Sequence, residues 1–350
     1  AEFELAKYKN SKNSGVNITL PIFERCDSEG IAANVKNINK RDKSVRYISN
    51  IANAKLDAFE KANESLWNDL DLRKGELPFD FKDLVDEGFS FIGIVHSDGN
   101  KIGQKIMTLI KKSKTSEEYI TNTRKFSIAL DEINKKSIKE STEKYELNKG
   151  KYQFRPIIYG GDDLTLVCRG DIALDLTEKY SESVRNNSTS KKDLGLQDKE
   201  FISVCSGVAI THASHPFNQG YELAESLISS AKKLAKKDEN NNREVFAIDW
   251  HILASSVLTD LKEIRDGYKV GDRELTMKPY YLFEDGQVNS FNKFRESMKK
   301  LKQIPNSKFK DIEKIIRSSE DHLKEFIDVG LREEKEKKKF NKITETFDHK

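Results

Sequence analysis

"RPIIYGGDDLTLVCRGD", residues 155–171, carries two glycines and two aspartates between apolar runs: Ile157, Ile158 and Tyr159 before them, Leu164, Leu166 and Val167 after. The pattern predicts a strand, a tight turn and a second strand. An ordinary hairpin needs only Asn-Gly or Asp-Gly at its turn. The adjacent carboxylates of Asp162 and Asp163 therefore need a separate explanation.

On the N-terminal side of this hairpin, "GFSFIGIVHSD" (88–98) is a short apolar run rich in aromatic and β-branched residues, which predicts a buried strand ending at Asp98. "GNKIGQKIMTLIKK" starts a helix directly after it, and a second helix covers about 116–147. On the C-terminal side come a helix near 171–185, a polar loop in "NNSTSKKDLGLQDK" (186–199) and a strand in "FISVCSGVAITHA" (201–213). "YELAESLISSAKKLAKK" (221–237) is an amphipathic helix with an apolar stripe through Ala224, Leu227, Ile228, Ala231 and Leu234. Lys232, Lys233, Lys236 and Lys237 fall outside that stripe. "REVFAIDW" (243–250) is a further strand. The order strand, helix, helix, strand, turn, strand, helix, strand, helix, strand predicts an α+β fold, a ferredoxin-like sheet with helices on one face.

Toward the termini the signals weaken. Residues 1–46 are polar and broken, apart from the island "VNITLPIF" (16–23). From about Val45 to Leu70, Ile48, Ile51, Ala52, Phe59, Ala62 and Leu66 recur at helical spacing and predict one long helix. Beyond 255 the pattern is mainly helical, with "REEKEKKKF" (332–340) as a solvated helix or fraying tail. This gives a polar segment and long helix over 1–85, an α+β domain that carries the hairpin over 86–255 and a mainly helical region over 256–350. The chain does not open on Met, which reads as a fragment.

Composition excludes some classes. A net charge of +3, from 61 basic and 58 acidic residues, is no global nucleic-acid signature, so any basic site is local. Cys26, Cys168 and Cys205 lie far apart and form no CxxC pair, which predicts a reduced, cytoplasmic protein. No apolar run approaches the roughly 20 residues of a membrane span.

If the strand ending at Asp98 lies beside the hairpin, Asp98, Asp162 and Asp163 meet at one sheet edge. Carboxylates that close repel one another unless a cation sits between them. Mg²⁺ or Mn²⁺ is the natural guest, since Mg²⁺ usually binds one or two carboxylates plus substrate phosphates. Gly160 and Gly161 let a nucleotide approach the backbone. The amides from Gly99 to Gly103, through Asn100, would face phosphate oxygens at a helix start, and Lys232 and Lys236 could supply positive charge. Each piece alone has a plainer reading: a common loop, a helix N-cap at Asp98, and a solvated lysine face.

The ordered set "HSDGNKIG", "YGGDDLTLV" and "SGVAITHASHPFNQGYELAESLISSAKK" is similar to the palm domain shared by GGDEF diguanylate cyclases, class III nucleotide cyclases and the large cyclase subunit of type III CRISPR effector complexes. It resembles the CRISPR subunit and its stand-alone relatives most, over roughly residues 88–285. The resemblance implies an α+β, ferredoxin-like palm with a mixed, mainly antiparallel sheet and flanking helical segments. It implies Asp98 and Asp163 as metal carboxylates, the Gly99 carbonyl as an added ligand, and Asp162 as a second-metal ligand or an orienter of the 3′-hydroxyl. Gly160 and Gly161 would lie under the nucleotide, and Lys232 would touch the triphosphate. The implied activity is joining or cyclising nucleoside triphosphates, ATP before GTP. The implied partners are a second palm, from a homodimer or an N-terminal domain, and RNA or a CRISPR-type complex. A nucleotide- or RNA-binding palm without turnover is the alternative.

Two departures stand out. The family's second strand aspartate is Asn100 here, and its upstream paired-cysteine zinc motif keeps Cys26 and Gly30 but has Glu29 for the second cysteine. No structural zinc is therefore expected. His96, two residues before Asp98, is expected beside the site rather than as part of a nuclease pair.

Overall fold

A computed structural model describes residues 24–26, 30–38, 43–73, 76–145, 150–196, 198–237, 244–254, 260–271, 273–284 and 286–302, with Lys310, Lys314 and Arg317. The chain divides into two units, Ala1–Lys74 and Gly75–Lys350. "VNITLPIF" and "REEKEKKKF" lie outside the described residues.

In the first unit, β1 (Val35–Ile38) pairs antiparallel with β2 (Val45–Ile48), and α1 (Asn50–Asp69) follows. The helical spacing from Val45 misplaces this helix start. Ser49 is its N-cap, with a side chain that accepts from the Ala52 amide at 3.0 Å. That cap fixes where the helix can begin, and the four residues before it are taken by strand pairing. Cys26, Ile48 and Ala52 are buried together against Ile31, Ala33 and Val35.

The second unit runs β3 (Phe91–Gly99), α2 (Ile102–Lys112), α3 (Ser116–Thr142), β4 (Phe154–Gly160), β5 (Asp163–Arg169), α4 (Ala173–Ser188), β6 (Val204–His212), α5 (Phe217–Lys237) and β7 (Ala247–Ile252). This is the order that the sequence predicts. Then come α6 (Leu261–Asp266), β8 (Lys269–Val270), β9 (Arg273–Glu274), β10 (Tyr280–Tyr281) and α7 (Phe291–Leu301). A six-stranded sheet has the order β10-β7-β6-β3-β5-β4. Its pairs are antiparallel except β6 with β7, so the sheet is mixed and mainly antiparallel. The outermost strand, β4, shifts register between Pro156 and Ile158, leaving Ile157 as an extra, exposed residue.

Helices cover both faces of this sheet, not one. A Cβ on Gly207 of β6 would stand 2.2 Å from the Ala224 carbonyl oxygen in α5, while one on Gly93 of β3 would stand 2.4 Å from Ala173 Cβ in α4. Gly207 opposes His96 in the register, three residues from Gly93, so the two glycines point to opposite faces. The element order does not reveal this, because it leaves open which face each connection crosses. The clue is composition: eight of the nine β6 residues are buried, and strands buried on both faces lose the alternation that marks a half-exposed sheet. On the α5 face Ile92, Ile94, Val167 and Ala209 pack with Leu223, Ala224 and Leu227.

One further expectation changes. The polar stretch 186–199 is not an open loop: α4 extends to Ser188, a 3₁₀ turn spans Lys192–Leu194, and Leu194 and Leu196 are buried. Its polar composition masks these two anchors. After 255 the helices α6 and α7 are accompanied by short strands, of which β10 joins β7, and Tyr280 stacks on Trp250, with ring centroids 5.2 Å apart.

The closeness of α5 to β6 is testable. Gly207→Ala places a methyl against helix backbone and should destabilise the fold by about 1–3 kcal/mol or more, the range for overpacking. Gly220→Ala meets the Ile94 side-chain end at 2.5 Å and otherwise only Thr211 side-chain atoms at 3.5 Å or more, and should be milder. Urea melts of the two variants give the comparison.

Candidate functional site

β3 lies between β6 and β5, so its C-terminal end carries Asp98 to the edge where the hairpin turns. Gly160 pairs with Asp163, closing the turn over Gly161 and Asp162. Gly161 has φ +59, the left-handed region that favours glycine, and a Cβ there would meet nothing within 4 Å. Open space therefore lies over the turn. Gly99 is glycine for another reason: its Cβ would stand 2.8 Å from Asp162 Cβ and 3.0 Å from Asp162 Oδ2. The Asp162 side chain folds back over the end of β3.

The three aspartates expected at one edge are brought there. Burial, and next the charge of Asp98, push the Asp162 carboxyl up to about 6. Asp163 is raised by burial and then by Asp98, with His96 and Lys232 opposing. Burial, then the charges of Asp162, Asp163 and Asp98, also push the buried Tyr180 phenol upward. Lys232, on α5, forms an ion pair with Asp98. Lys236 is exposed one turn further along the same helix. Asp98 is not a helix cap, because the N-cap position of α2 is Lys101 and no side chain caps it. A Cβ on Gly103, in the first turn of α2, would meet nothing within 4 Å.

Asn100 turns away from the carboxylates. Its Nδ2 donates to Val245 O at 2.8 Å and to Ser203 Oγ at 3.0 Å, and its amide N donates to Ser203 O at 2.9 Å. Ser203 Oγ in turn donates to Glu244, which pairs with Lys105 of α2 at 2.8 Å. An aspartate at 100 could not donate to the Val245 carbonyl, which explains the amide here. His96 is beside the site, as expected, with Nδ1 3.1 Å from Thr165 Oγ1.

The sequence reading misses two residues. Tyr180 OH donates to Asn134 Oδ1 at 2.9 Å, and Asn134 Nδ2 donates to the Asp163 carbonyl at 2.9 Å. Both side chains are buried, so two helices reach the turn backbone through this chain of bonds. The available signal was an asparagine on the buried stripe of α3, beside Leu130, Ile133 and Ser137.

Among the described residues no group of three or more His, Cys, Asp or Glu side chains forms a ready-made metal cage. Mg²⁺ does not require one, because one or two carboxylates with substrate phosphates suffice. The donor set fits such an ion: hard oxygens, with Asp162 held part-buried against Asp98 at a cost that a cation would relieve.

Residues 91–241 match the family model described as Cas10/Cmr2, second palm domain. That span begins with β3 and includes all three aspartates and Lys232. Similar solved structures include the Csm1-Csm4 cassette in complex with cA4, at 12% identity and TM-score 0.41, covering 67% of this chain and 30% of that one. The GGDEF domain of DgcB from Caulobacter crescentus in complex with c-di-GMP matches at 12% identity and TM-score 0.30, covering 48% and 83%. Csm1 in T. onnurineus matches at 13% identity and TM-score 0.34, covering 45% and 21%. No curated protein matches the chain. Among the described residues no helix is long and apolar enough to cross a membrane.

Asp162 gives a signed pH prediction. Its carboxyl is raised from 3.8 to about 6, so between these values the folded chain holds a proton that the unfolded chain releases. Stability therefore falls as pH rises through that window. Asp162→Asn should raise the melting temperature at pH 7.5 by roughly 2–4 °C, the shift for about 1 kcal/mol in a domain of this size, and change it little near pH 4.5. An equal rise at both pH values would place the cause elsewhere. Asn100→Asp should do the opposite, losing about 1–3 kcal/mol as the Val245 carbonyl is left unpaired, read as a lower melting temperature at neutral pH.

Proposed function

We propose that this chain is a metal-dependent nucleotidyltransferase of the palm type, joining or cyclising nucleoside triphosphates into a signalling oligonucleotide in cytoplasmic CRISPR-type antiviral defence. The observation that carries this reading is the meeting of Asp98, Asp162, Asp163 and Lys232 at one edge of a sheet whose span matches the Cas10/Cmr2 second palm. The 3′-hydroxyl of one nucleotide attacks the α-phosphate of another. An O–P bond forms, the bond to the β-phosphate bridging oxygen breaks, and pyrophosphate leaves.

Asp98 and Asp163 would hold Mg²⁺ or Mn²⁺, with the Gly99 carbonyl. The ion, when bound, stabilises charge on the attacking and leaving oxygens. Asp162 sits back against Gly99 with a carboxyl near 6. That value suits a group that orients the 3′-hydroxyl and accepts its proton near neutral pH. Gly160 and Gly161 leave the floor open to the nucleotide, and Gly103 leaves the start of α2 open to phosphate. Lys232 and Lys236 supply positive charge from α5. The family resemblance puts ATP before GTP, and a second palm, from another copy or an N-terminal domain, would supply the facing half of the site. RNA or a CRISPR-type complex is the expected context.

A palm that binds nucleotide without turnover is the second reading. Asn100 favours it, because this position contributes no carboxylate and its amide is spent on Ser203 and Val245.

Incubation with each nucleoside triphosphate and Mg²⁺ or Mn²⁺, read by mass spectrometry, separates the two. The expected outcome is metal-dependent consumption of ATP with pyrophosphate and oligonucleotide products. Changing Asp162 and Asp163 together to Ala should lower the rate by roughly 10²-fold or more, the scale for lost transition-state electrostatics, while the chain stays folded. Nucleotide binding without product in the parent chain would establish the second reading.

A further inference from the structure

Lys232 is in an unusual position for a phosphate-binding residue, because its ammonium already contacts Asp98. Both partners sit on well-fixed elements. Asp98 ends the strand between β5 and β6, and α5 is packed so closely on β6 that a single methyl at Gly207 would meet helix backbone. Lys232 lies between Ala231 and Leu234, both buried, so its stem emerges at the rim of the sheet. The ammonium offsets a crowded set of negative charges, since Asp98 acts on both Asp162 and Asp163.

We infer that Lys232 is a built-in counter-ion that keeps a divalent cation off Asp98 until a polyphosphate draws the ammonium away, so that metal and nucleotide enter together. This rests on the metal–nucleotide reading of the edge. The physical argument is exclusion. A divalent cation on Asp98 and an ammonium on the same carboxylate would be like charges in near contact, which is strongly unfavourable in a part-buried site. A triphosphate offers Lys232 another anion on the side of α5 where Lys236 lies exposed one turn away. Once the ammonium moves, the Asp98 carboxylate is open to the metal. Each ligand then raises the affinity for the other, and by the same factor.

The test reads binding rather than turnover. Mn²⁺ is titrated calorimetrically into the parent chain and into Lys232→Met and Lys232→Gln, with and without an α,β-methylene analogue of ATP. The pair of variants guards against one of them failing to fold, and thermal melts identify which are folded. Without analogue, the variants should bind Mn²⁺ about tenfold tighter than the parent, within the ordinary range of coupling between two ligands. At saturating Mn²⁺ they should bind the analogue about tenfold more weakly. A lysine that merely touches phosphate would give the second change alone, so unchanged or weaker Mn²⁺ binding in the folded variants overturns the inference while leaving the nucleotide site intact. A parent chain that binds no Mn²⁺ even with the analogue overturns the proposed function as well.

Discussion

Two central strands buried on both faces impose the main constraint on this fold. A helix must approach from each side, and side chains of ordinary size would hold it off. Gly207 admits α5 on one face and Gly93 admits α4 on the other. That close packing carries Lys232 to Asp98. On the α4 face, Tyr180 connects to the turn through Asn134 on α3. The position of the polar edge thus follows from how near two helices come to an apolar sheet.

The edge itself works against stability. Asp162 and Asp163 are gathered beside Asp98, where burial and the charge of Asp98 disfavour their ionisation, and one lysine offsets only part of that. The surrounding structure compensates with hydrogen bonds and an ion pair made by other residues. Asn100, Ser203 and Glu244 connect the end of β3 to the entries of β6 and β7, and Glu244 holds Lys105 of α2. Fold-holding and charge-holding residues are therefore adjacent but distinct, an arrangement that lets a site keep unfavourable electrostatics.

Much of this was legible in the sequence because the elements from β3 to β7 have strong signals: apolar runs of strand length, a turn marked by glycines, and the stripe of α5. What stayed hidden was relational. The lack of alternation in β3 and β6 is the mark of burial on both faces, but it does not tell which helix covers which face. Four lysines lie outside the α5 stripe, and only the packing of the helix shows that Lys232 is the one against Asp98. Asn134 and Tyr180 lie on different helices and become partners only in the fold. Ile48 falls in helical phase with Ala52, yet Ser49 caps the helix after it and Ile48 pairs in the hairpin of β1 and β2 instead.

The irregular outer strand has a consequence for assembly. A regular outermost strand offers a row of amides and carbonyls to any passing chain. β4 interrupts that row beside the carboxylate turn: Pro156 has no amide hydrogen, and the extra residue Ile157 breaks the spacing that a second strand would need. Growth of the sheet by edge-to-edge recruitment is therefore discouraged on this side. A companion protein that reaches the turn must come against the rim and its loops, where shape and charge decide recognition, rather than through backbone pairing that would accept almost any sequence.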